Sequence, residues 1–68
     1  MNDSELLLWI AEHMVKFDLG LCNAQLEYID DNGVTRVAEF HSDELDPQDL
    51  VMLKGCIAAA VKEMETKR

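Results

Sequence analysis

The sequence predicts an α+β domain in the order helix, strand, strand, helix, with both helices packed on the apolar face of a two-stranded antiparallel hairpin. Three observations carry this. Apolar residues recur every three or four positions at both ends of the chain, they alternate in the middle, and a "DDNG" turn signal separates the two alternating runs.

The first element runs from Ser4 to Leu19, where Leu7, Ile10, Met14 and Phe17 make a helical stripe with Leu6 and His13 beside it. In the opening "NDSE", Asn2 with Glu5 three residues on makes a capping box, with Asp3 and Ser4 as other possible caps. Gly20 is expected to stop the helix in the left-handed conformation. The opposite face carries Leu8, Val15 and Leu19 with Glu12, more apolar surface than one core-facing side needs. Trp9 lies at the edge of the stripe. It serves either as a peripheral core aromatic or, if exposed among Leu8 and Val15, as an interface anchor.

From Leu21 to Ile29 the period is two. Cys22, Ala24, Leu26 and Tyr28 alternate with Asn23, Gln25 and Glu27, as in a half-buried strand. Val34 to His41 is a second strand on composition, and its register must come from the turn. "YIDDNGVTRVAE", Tyr28 to Glu39, also places Asp30, Asn32, Gly33 and Glu39 on positions 3, 5, 6 and 12 of a calcium-binding loop. That match fails at its first position, where Tyr28 brings no carboxylate. It fails again at the ninth, where Arg36 would face the cation.

A three-residue hairpin loop, a type I turn followed by a left-handed Gly33, accounts for the same residues. It pairs Asp30 with Val34, Tyr28 with Arg36, Leu26 with Ala38 and Ala24 with Phe40. Cys22, Ala24, Leu26, Tyr28, Val34, Ala38 and Phe40 then share one face. A two-residue turn would set Leu26 against Glu39 and bury a carboxylate, because a slip of one residue exchanges the faces. Arg36 is expected to stack on Tyr28 and reach water near the turn.

In "DPQDL" Asp46 reads as an N-cap, with Pro47 at the first helical position and Asp49 at the third. The second helix continues with Leu50, Leu53, Ile57, Val61 and Met64 as its stripe. Lys62, Lys67 and Arg68 suit its carboxyl end. Gly55 costs about 1 kcal/mol in such a helix relative to alanine. With Ala58, Ala59 and Ala60 it forms a strip over which another backbone can come close. That neighbour is either a second copy of the chain or the protein's own hairpin or first helix.

Sixty-eight residues make a single domain, 1–68, and a domain of this size buries only about 60% of the surface its unfolded chain exposes. Two strands alone form a marginal sheet, so a homodimer is the expected means of completing the fold. Cys22 and Cys56 form no C-x-x-C pair, and the opening "MNDSELLLWI" is neither a secretory signal nor a membrane span. A cytoplasmic protein with free thiols is expected.

The net charge of −8 is concentrated: Glu27 to Asp49 holds eight acids against Arg36 alone. Such a field disfavours direct nucleic-acid binding and membrane surfaces and attracts basic protein surfaces. No motif for catalysis, a cofactor or a metal is found; His13, His41, Cys22 and Cys56 lack the close ligand spacing of zinc sites. The function expected is therefore a small acidic protein-binding module, a homodimeric regulator or inhibitor that docks on a larger protein. The alternative is a nucleic-acid mimic that occupies a basic DNA- or RNA-binding surface of its target. Asp30, Asp31, Asp43 and Glu44 are the candidate acidic partner surface. Leu8, Trp9, Val15, Gly55 and Ala59 are the candidate apolar partner or dimer surface.

Overall fold

The computed structural model describes residues 2–45 and 47–66. The elements are α1 (Asp3–His13), β1 (Met14–Leu19), β2 (Asn23–Ile29), β3 (Thr35–His41) and α2 (Asp49–Thr66). The three strands form one antiparallel sheet in the order β1-β2-β3. The α+β class and the terminal helices agree with expectation, but the sheet has three strands rather than two.

The added strand comes from the carboxyl half of the expected first helix. Asn2 caps α1 as foreseen, its side chain accepting the Glu5 N–H at 2.8 Å. Such a cap contributes about 1 kcal/mol. The helix ends at His13, not Leu19. Met14 is already extended (φ −70°, ψ 128°) while its N–H still donates to the Ile10 carbonyl, so α1 passes into β1 without a linker. Gly20 stops no helix and has no positive φ. It lies in the β1–β2 turn, where its N–H donates to the Asn23 carbonyl at 2.7 Å.

A bulge explains how β1 resembled a helix. Met14 pairs with Tyr28 and Lys16 with Glu27, leaving Val15 as an extra residue. Past it, Phe17 meets Leu26 and Leu19 meets Ala24. The half-buried side chains of β1 thus fall at 14 and 17, and that gap of three imitates a helical turn.

The β2–β3 hairpin has the expected register, with Tyr28 opposite Arg36, Leu26 opposite Ala38 and Ala24 opposite Phe40. Gly33 takes φ +80°, the Gly33 N–H donates to the Asp30 carbonyl, and the Asp30 N–H donates to the Val34 carbonyl, both at 3.0 Å. One expectation on this face needs correcting: Val34 is exposed, because it belongs to the loop closure and lies before β3 begins. Arg36 is partly exposed, and its Nε donates to Asp30 Oδ2 at 2.6 Å.

The helices cover the inner face of the sheet. Leu26, Tyr28, Met52, Cys56 and Ile57 are the largest fully buried side chains, joined in the core by Leu6, Trp9, Ala24, Ala38 and Ala60. Each large aliphatic buried there contributes roughly 1.5–3 kcal/mol. The buried face of α2 is rotated from the expected stripe. Met52, Cys56, Ile57 and Ala60 are buried, Leu53, Val61 and Met64 lie on the flanks, and Leu50 is exposed.

The rotation follows from Gly55. A Cβ placed there would stand 2.5 Å from the Phe40 ring, so the helix lies directly on β3 through its smallest residues. Helix α2 starts at Asp49, two residues later than expected. The Asp46 cap lies outside the described residues, as do Lys67 and Arg68.

Candidate functional site

Because helices cover one side only, the sheet has a solvent face, and the register determines what stands on it. From β1 come Lys16 and Asp18, from β2 Asn23, Gln25, Glu27 and Ile29, and from β3 Thr35, Val37, Glu39 and His41. Val15 joins them through the bulge, since it and Lys16 together oppose Glu27. Three aliphatic residues are thereby displayed rather than buried: Val15, Ile29 and Val37 are 55%, 40% and 54% exposed. Val37 lies beside Glu27 and diagonal to Ile29 across the strand pair, which puts both within reach of one contacting side chain.

Carboxylates frame this apolar group. Glu27 stands half-buried between Lys16 and Val37. Glu39 Oε1 accepts from Gln25 Nε2 at 3.0 Å, and Asp18 Oδ2 lies 3.5 Å from Lys16 Nζ. An exposed pair such as Lys16–Asp18 adds little stability, so both groups remain available to a partner.

The hairpin tip adjoins this face, and its two aspartates do different work. Asp30 is structural. Its Oδ1 accepts the Asn32 and Val34 N–H groups at 2.9 Å each, its Oδ2 takes Arg36, and its side chain is only 8% exposed. The Arg36 guanidinium, and after it the Val34 N–H, hold this carboxyl below the usual carboxylate range. The same bond pushes the Arg36 guanidinium up.

Asp31 is half-exposed, with its Oδ1 3.3 Å from His13 Nε2. The His13 ring stacks on Trp9 (centroids 5.0 Å, 20°), and its Nδ1 faces the Trp9 carbonyl at 3.3 Å. A neutral imidazole has one N–H, so it donates to one of these two acceptors at a time. His13 thus joins the end of α1 to the tip of the hairpin.

Asp43 and Glu44 are exposed in the connector after β3, where Ser42 Oγ accepts the Glu44 N–H at 3.1 Å. They lie at the opposite end of the sheet from Asp31, a seven-residue strand or roughly 20 Å away. The four candidate acids therefore do not form one surface.

The apolar candidates divide in the same way. Leu8 and Val15 are exposed. Trp9 is 8% exposed, a core residue tilted against Tyr28 at 5.8 Å. Gly55 faces Phe40 and Ala59 packs against the core, so these two small residues serve the protein's own fold. Sequence reasoning missed Asp18, Glu27, Ile29 and Val37. The hairpin register already placed Glu27 beside Val37 with Ile29 on the same face, and the unrecognised β1 hid Asp18.

Cys56 is fully buried, and its burial pushes the thiol up, away from the reactive thiolate. Among the described residues, no group of three or more His, Cys, Asp or Glu is placed to hold a metal ion, and no helix is long and apolar enough to cross a membrane. A scan of family models and searches of curated proteins and solved structures find no match to the chain.

Proposed function

We propose that this protein is a small acidic protein-binding module that docks on, and inhibits or regulates, a larger partner through the solvent face of its sheet. One observation carries this: Val15, Ile29 and Val37 stand exposed among Asp18, Glu27 and Glu39 on an otherwise regular sheet surface. Apolar contact supplies affinity, while the surrounding carboxylates steer a basic partner and set register. The partner site that fits is a shallow apolar patch rimmed by lysine or arginine.

The same carboxylates suit nucleic-acid mimicry, but a pure mimic gains nothing from three aliphatic side chains between its charges. Capture of a partner at low and moderate salt, by the native chain and by the Val37→Asp and Glu27→Lys/Glu39→Lys variants, separates the two. The module requires that Val37→Asp abolish capture and that some binding survive moderate salt. Capture that DNA competes away, is lost at moderate salt and ignores Val37→Asp supports mimicry instead. Capture indifferent to both variants refutes the sheet face as the site.

A further inference from the structure

Between the two helices, on the side of the molecule away from the solvent face of the sheet, runs an open groove of about 390 Å³. Leu6, Ile57, Ala58 and Val61 form its apolar floor, and Lys54 and Lys62 stand on its α2 wall, with Glu65 beyond them. Two exposed lysines on an apolar groove are unusual in a chain of net charge −8. Lys54 Nζ lies 3.9 Å from Asp3 Oδ1. That aspartate is 92% exposed, so the pair is weak and exchangeable.

The complementary surface is present in the same chain. Helix α1 carries Asp3, Glu5 and Glu12 and no lysine or arginine, and Leu8 on it is 60% exposed. Glu5, Leu8 and Glu12, at i, i+3 and i+7, lie on one strip of α1. Lys54, Ala58 and Lys62, at i, i+4 and i+8, lie on one strip of α2. At 1.5 Å per residue the glutamates are about 10.5 Å apart along their axis and the lysines about 12 Å apart. A large apolar residue thus stands midway between two acids on one helix, and a small one midway between two bases on the other.

We propose that the groove seats α1 of a second copy of this chain, Leu8 resting on Ala58 and the two glutamates meeting Lys54 and Lys62. Made twice about a twofold axis, the contact closes as a dimer. It buries Leu8, one of the two exposed leucines of α1, and it leaves the solvent face of the sheet free. It therefore stands or falls separately from the partner surface there.

Charge exchange tests the pairing. Sedimentation velocity on the native chain should show a dimer at micromolar concentration. Lys54→Glu/Lys62→Glu and, separately, Glu5→Lys/Glu12→Lys should each raise the dissociation constant tenfold or more while circular dichroism stays native. Mixed one to one, the two variants restore both contacts and should reform a dimer of native affinity. A native chain that stays monomeric overturns the proposal. So do swapped variants that dimerise unchanged, or a mixture that stays monomeric while both components are folded.

Discussion

Replacing Gly55 with alanine tests whether α2 is placed by its smallest residue. In an unconstrained helix the change stabilises by about 1 kcal/mol through backbone entropy. Here the new methyl would lie 2.5–2.6 Å from three atoms of the Phe40 ring, well inside van der Waals contact. One of the three is Cγ, at the base of the ring, so rotating the ring tip away does not clear it and either α2 or β3 must move. Overpacking of this kind costs about 1–3 kcal/mol. Gly55→Ala alone should therefore range from neutral to about 2 kcal/mol destabilising.

Removing the obstacle should reverse the sign. In a Phe40→Ala background the methyl enters the space left by the ring, and Gly55→Ala should then stabilise by about 1 kcal/mol. The coupling in the double-mutant cycle is thus about 1–3 kcal/mol, far beyond the few tenths expected of independent sites. Urea unfolding followed by circular dichroism measures all four species. In a domain of this size each 1 kcal/mol also moves the Tm by about 4–8 °C. Additive behaviour, with Gly55→Ala stabilising by about 1 kcal/mol in both backgrounds, would refute the close approach of α2 to β3.

The hairpin and the thiols give further tests. Asp30 has its folded pKa lowered, chiefly by Arg36, so its contribution is complete above the unfolded value of about 3.9 and is lost as pH falls through the lower folded value. Asp30→Asn should be less stable than the native chain at pH 7, with the difference closing towards pH 2 in denaturant titrations; a gap unchanged with pH would contradict the charge role. Gly33→Val puts a branched side chain at φ +80° and should cost about 1–2 kcal/mol, read as a lower urea midpoint at constant slope; no change would show that the loop is not held there. A thiol reagent should titrate Cys22, half-buried at the strand end, in the native protein and Cys56 only in denaturant; rapid reaction of both would mean that the core opens readily.

The hairpin was legible because its information is local and redundant. "DDNG" names the loop, and only one register keeps Glu39 out of the core. The amino-terminal cap was legible for the same reason. The boundary at His13 was not, since Ile10, Met14 and Phe17 keep helical spacing across it, and the bulge at Val15 lets one pattern satisfy both structures.

A trace of the error was visible. A helix from Ser4 to Leu19 would have left Leu8, Val15 and Leu19 on its outer side, and two of those three belong to the strand. The site was harder to read than the fold. Asp30, counted among the surface acids, spends its carboxylate on its own loop. Val37 and Ile29 share the outer face of the hairpin by its register alone, but Val15 and Asp18 joined them only once β1 was recognised as a strand.

The bulge has a second effect, on how the sheet ends. A strand edge with a step in it offers an incoming chain a broken ladder of N–H and C=O groups, and Lys16 beside the step adds a charge to be desolvated. The other outer strand, Thr35–His41, keeps an unbroken register with β2 over all seven residues and contains no proline. The two margins of the sheet are thus unequal. A foreign β-strand extending this sheet would be turned away at β1 and find its continuous template along β3.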